Sequence, residues 1–241
     1  MSSRLPKQSP PVSRLLHAMA RLRTALPACL SLPMGDDQVF MPLAYEESYA
    51  YPLLVWLPGE APRPFDLGRV MQRVSLRNFI AVEPRVSPTD SANSLDREDA
   101  VWRAIDRVCE HASVHPQRIY LVGQGEGGSD AFRLACRHPQ AFAGVISLGG
   151  SFPLSEGLLS QLFRVRRLPM LLCCHRSQST GVAEQTDQTL RLFHAAGAML
   201  AMRIYPGRKD LSKAILNDVN RWVMDDVCGT QVPVPSHCAP S

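Results

Sequence analysis

The feature that most constrains this chain is residues 119–130, IYLVGQGEGGSD. Four apolar or aromatic residues, Ile119 to Val122, run into a turn dense in glycine, and a helical pattern at residues 131–137 follows, stopped by His138-Pro139. A buried run, a sharp turn and a helix in immediate succession describe a strand that hands over to a helix through a tight turn, which lifts one residue above the sheet. The turn reads Gly123-Gln124-Gly125-Glu126-Gly127, so the lifted position is a glycine.

The same rhythm extends over most of the chain. VFMPLAY from Val39 and YPLLVWLPG read as a first and second strand, followed by NFIAVEPRV, RIYLVG, FAGVISLGG, LPMLLCCH and MLAMRIYPG. Helices fall between them at residues 66–75, 96–111, 155–163, 183–194 and 211–227. Asp66 suits the N-cap of the first, and Val101, Ile105, Val108 and Cys109 form an apolar stripe on the second. Continuous apolar strands alternating with helices predict an α/β fold: a mainly parallel sheet of about seven strands with helices on both faces.

Length and charge set the surroundings of that domain. The 241 residues suit one α/β domain, here residues 36–227, between an N-terminal extension at 1–35 and an irregular tail at 228–241. Five basic residues, Arg4, Lys7, Arg14, Arg21 and Arg23, precede the first acid, Asp36; the remainder is close to neutral, so no nucleic-acid-binding surface is expected on the domain. Residues 13–25 can form a short basic helix, read as a docking segment or solvated arm, with a membrane-surface or partner-binding helix as the alternative. No run of apolar residues reaches the ~18 needed to span a membrane, and the N-terminus lacks the apolar centre of a secretory signal. Seven cysteines without a C-x-x-C pair point to a reducing, cytoplasmic setting and to neither a zinc nor a redox motif. Oligomeric state is left open.

The landmarks in order resemble the α/β-hydrolase fold, in its phospholipase/carboxylesterase-like branch. YPLLVWLPGE resembles the family's strand into an oxyanion loop, and residues 114–153 its elbow, helix and following strand. LPMLLCCHRSQSTGV resembles the strand that leads to the catalytic acid, and MRIYPGRKDLSKAILNDVNRWVM the last strand, histidine loop and C-terminal helix. The resemblance implies a serine esterase, whose chemistry needs a nucleophile, then an acid, then a histidine base, and amide donors for the oxyanion.

Each of those positions is altered. The nucleophile position is Gly125, which has no side chain; Ser129 lies a helical turn further on, with its hydroxyl expected to point along the helix. The acid position, four residues after His175, is Ser179, which cannot supply the negative charge that stabilises an imidazolium; Glu184 and Asp187 nearby suit the start of the following helix. The base position is Lys209, beside Arg208 and Asp210. In the oxyanion loop His-Gly becomes Pro58-Gly59, and the amides of Glu60 and Glu126 bring acidic side chains to where an oxyanion would be held. The implied protein is therefore an esterase-like domain that has lost its serine-hydrolase activity and keeps the old pocket mouth for a small-molecule or protein ligand. The alternative is an active carboxylesterase or phospholipase-type hydrolase working through other residues.

Two rival patterns are weaker. Gly123, Gly125 and Gly128 fit G-x-G-x-x-G, but the next strand ends SLGGSFP, without the acid a dinucleotide site places there. Cys173-Cys174-His175 puts neighbours on opposite faces of a strand, so buried cysteines are expected there and at Cys109 and Cys136. The histidines show no metal-ligand spacing, and no cofactor or metal is expected.

Overall fold

A computed structural model describes residues 31–34, 37–59, 64–85, 94–150, 162–175, 190–191, 193–195, 197–207 and 211–229. Eight strands form one sheet: β1 (Ser31–Met34), β2 (Asp37–Phe40), β3 (Tyr51–Leu57), β4 (Ile80–Glu83), β5 (Val114–Gln124), β6 (Gly144–Leu148), β7 (Met170–His175) and β8 (Leu200–Tyr205). Their order is β1-β2-β4-β3-β5-β6-β7-β8, antiparallel through the β1–β2–β4 pairings and parallel from β4 to β8. Helices α1 (Leu67–Val74), α2 (Ser94–His111), α3 (Glu126–Arg137), α4 (Leu162–Val165) and α5 (Lys213–Val227) occupy the crossovers and the C-terminal side.

The alternation of strand side chains sorts the core into two layers. Leu53 and Val55 of β3 face one layer, with Val101, Ala104 and Ile105 of α2 and Ala131, Phe132 and Ala135 of α3. Leu54 and Trp56 face the other, with Leu67 and Met71 of α1 and Ile215, Val219 and Val223 of α5. The expected parallel sheet covered on both faces is the one observed. Two tyrosines also tie α5 to the sheet: Tyr205 donates to Asp218 at 2.6 Å and Tyr120 donates to Asp226.

Four expectations differ in detail. The sheet begins with a β1–β2 hairpin, where Met34 pairs with Asp37, rather than with a strand from Val39; SLPM is short and interrupted by Pro33, which hides it from periodicity. Helix α3 begins at Glu126, so the glycines after the turn belong to its first turn. Strand β5 starts at Val114, five residues before its apolar run. Cys109 is exposed, because the inward stripe of α2 is Val101, Ala104, Ile105 and Val108, and one further residue rotates out of it. The expected helices at 155–163 and 183–194 lie largely outside the described residues, as do the basic segment at 13–25 and most of the tail.

Candidate functional site

The site is built from the turn outward. Strand β5 sits between β3 and β6 in the middle of the sheet, and its last residue, Gln124, is followed by Gly125 with φ 54° and ψ −121°. That backbone conformation is open to glycine and strained for any residue with a Cβ. The Gly125 amide donates to Leu148 O at 2.8 Å, and its carbonyl accepts from Gly128 N at 3.0 Å, so the turn is held from the neighbouring strand and from its own helix. A Cβ placed on Gly125 would meet no atom of the described residues within 4 Å. The turn therefore projects toward open space, as a nucleophile elbow does, with no group to project.

Backbone packs on backbone around the turn. A Cβ on Gly59 would lie 2.4 Å from Gln124 O and 3.3 Å from Glu126 N, and a Cβ on Gly127 would lie 2.1 Å from Leu57 O. Only glycine permits this approach, which brings the loop after β3 against the start of α3. Gly59 and Glu126, two of the expected pocket positions, are thus brought together with Gly125. Glu126 is the first residue of α3, where a carboxylate is favoured by the helix dipole. Ser129 is buried in the first turn of α3, its amide 3.4 Å from Gly125 O. Glu60, Ser179 and Lys209 lie outside the described residues, as do Arg208, Asp210, Glu184 and Asp187.

Solved structures superimpose on this arrangement. A thermostable esterase matches with a TM-score of 0.62 at 17% identity, covering 78% of this chain and 58% of that one. Acyl-protein thioesterase 2 of Zea mays matches with a TM-score of 0.59 at 13% identity, covering 80% of this chain and 99% of that one. These show the fold. Among sequence relatives, a protein described as a carboxylesterase in Oryza sativa subsp. japonica is 25% identical over 155 residues, 61% of this chain and 66% of that protein. Carboxylesterase SOBER1 of Arabidopsis thaliana is 22% identical over 139 residues, 57% of this chain and 60% of that protein. This chain has the α/β-hydrolase fold, and its sequence is similar to that of carboxylesterases. NocK of Nocardia uniformis subsp. tsuyamanensis, described as an esterase, shares 42% identity over 67 residues, 27% of this chain. The chain spans a fifth to about two thirds of the lengths of these relatives. No family model matches it.

At the ends of β4 and β7, each one strand removed from β5, lie polar groups that local sequence patterns do not disclose. Glu83 ends β4 and is only 6% exposed, and its Oε2 has no hydrogen-bond partner among the described residues. Burial pushes its carboxyl up to about 7; Arg85 opposes the shift, while Asp37 and Asp66 add to it. Asp37, also buried, binds Arg107 at 2.5 Å and the Arg85 amide at 2.9 Å, clasping β2 to α2. The one signal in the sequence is that an acid closes the otherwise apolar run IAVE. At the end of β7, His175 is 7% exposed, and its Nδ1 also lacks a partner among the described residues.

The thiols are poorly suited to nucleophilic work. Cys173 and Cys174 face opposite core layers, and burial pushes the Cys173 thiol up to about 12 and also raises that of Cys174. Among the described residues no cluster of histidine, cysteine and acidic side chains is arranged to hold a metal ion, and no helix is long and apolar enough to cross a membrane.

Proposed function

We propose that this protein is an esterase-like α/β-hydrolase that has lost serine-hydrolase chemistry and binds a small-molecule or protein ligand at the mouth of the former catalytic cleft. Gly125 carries the reading. It stands at the tip of the elbow with φ 54°, and no described residue occupies the space into which a nucleophile would project. Two substitutions in the sequence agree with it. Ser179 at the acid position cannot hold an imidazolium, and Lys209 at the base position is cationic at neutral pH unless deeply buried. Gly59 and Glu60 on one side, with Gly125 and Glu126 on the other, would form the ligand-facing rim. No disulfide partner is assigned to the described cysteines, which suits a cytoplasmic setting.

The test uses short-chain aryl esters together with a fluorophosphonate probe. The expected result is no turnover above buffer and no labelled serine. A single labelled serine, with turnover abolished by its substitution, overturns the reading in favour of an active carboxylesterase using another residue.

A further inference from the structure

The end of the sheet remote from the elbow carries a groove of about 270 Å³. One wall is Tyr49, Tyr51 and Pro52, at the start of β3; the other is Met224 and Val227, at the end of α5. Strand β3 runs seven residues from Tyr51 to Leu57 beside the elbow, roughly 20 Å, so this is a different surface from the former cleft. The aromatic wall is fixed. Tyr49 and Tyr51 meet edge to face with ring centroids 4.6 Å apart, and the Tyr51 hydroxyl accepts from Glu46 N at 3.2 Å. Asn78, which also lines the groove, is tied to α5, its side chain donating to Asn220 at 3.3 Å. Tyr49 is nevertheless 47% exposed, so its ring is open to an occupant of the groove.

The chain itself supplies a segment of matching chemistry. Helix α5 ends at Val227, on the groove wall, and Gly229 turns the backbone with φ 67°. The sequence continues Thr230-Gln231-Val232-Pro233-Val234-Pro235, uncharged and with proline at alternate positions. Such a segment favours the polyproline II conformation, whose ordering cost is low and which docks in grooves lined by aromatic rings. At about 3.1 Å per residue, the four to six residues after Gly229 reach about 12–19 Å, enough to cross a groove that begins at Val227. In a threefold helix Val232 and Pro235 fall on one edge and can both face the tyrosines.

We propose that the groove between Tyr49, Tyr51 and α5 is the docking surface for this chain's own proline-containing segment at residues 232–235. The inference does not depend on the fate of the catalytic residues. Its test places the photocrosslinker p-benzoylphenylalanine at position 49 of the full-length chain, keeping an aromatic ring there, and maps the crosslinked peptides after irradiation. The expected result is an intramolecular crosslink to residues 231–236, with its yield reduced at least fivefold by joint Pro233→Gly and Pro235→Gly substitution. Crosslinks to another segment, to a second copy of the chain, or to nothing overturn the proposal. So does a yield indifferent to the proline substitutions.

Discussion

Three helices in this protein start in two different ways. Helix α1 is closed by Asp66, whose side chain accepts from Arg69 N at 2.9 Å, and α5 by Ser212, whose hydroxyl accepts from Ile215 N at 3.4 Å. Helix α3, in the crossover from the central strand β5, starts at Gly125 with no side-chain cap at all. The peripheral helices use a polar side chain to satisfy their first turn. The central one relies on a backbone turn, clamped between β6 and the loop after β3. Its starting geometry needs no side chain at Gly125, because it depends on close backbone packing rather than on the residue displayed.

The comparison breaks most visibly at Gly127. Gly127→Ala drives a Cβ to 2.1 Å from Leu57 O and 2.8 Å from Pro58 O, and neither backbone atom can yield cheaply. The expected loss is about 3 kcal/mol or more in urea unfolding. A loss below about 1 kcal/mol would mean that the two loops are not packed this closely.

The Asp66 cap has an electrostatic consequence that the Gly125 start avoids, because it places a charge beside Glu83. The Glu83 carboxyl titrates near 7 in the folded protein and near its ordinary value when unfolded, so the folded state holds the extra proton between those values. Stability should therefore fall as pH rises from about 4.5 through 7. Glu83→Gln is expected to remove that fall, making the variant more stable at pH 8 by on the order of 2 kcal/mol and equal to the parent near pH 4. Asp66→Asn keeps the cap and removes the charge, and should shallow the slope. Parallel pH profiles for parent and Glu83→Gln would show that Glu83 titrates normally.

Gly125→Ser gives the next effect. The side chain has room, but φ 54° imposes strain of about 1–2 kcal/mol, measurable as a lower unfolding midpoint. On the proposed reading, this variant gains no ester turnover, because Ser179 and Lys209 still stand at the acid and base positions. Turnover from Gly125→Ser alone would place a working acid and base elsewhere in the cleft. The smallest effects belong to the capped helices, where Asp66→Ala and Ser212→Ala should each cost about 1 kcal/mol in the same unfolding measurement.

What the sequence disclosed follows from how local each signal is. The elbow was legible because its glycines are spaced by backbone contact within one strand, turn and helix, and the Asp66 cap because its bond spans only three residues. Alternation between strands and helices disclosed the two-layered core. The β1–β2 hairpin was hidden by Pro33. The environment of Glu83 depends on β2 and on the start of α1, both outside its own strand, so no window around IAVE reports it. Cys109 shows the limit of a helical stripe: residues at its shoulder are divided between core and solvent by the tilt of the helix on the sheet. Gly59 and Glu126 were paired by resemblance, and their proximity is a matter of packing between β3 and β5.

The three tryptophans give the protein a set of built-in optical probes. Trp56 stands in one core layer with Phe65 at 5.8 Å, and Trp222 borders the same layer from α5 with Tyr120 at 6.4 Å. Trp102 packs against the opposite layer between His138 and Phe142, each at 5.4 Å. Single-tryptophan variants would therefore emit from one side of the sheet at a time. A fluorescence change confined to Trp102 would report events under α2 and α3, where the elbow helix sits, while Trp222 alone would report the fate of α5 and the groove at its end.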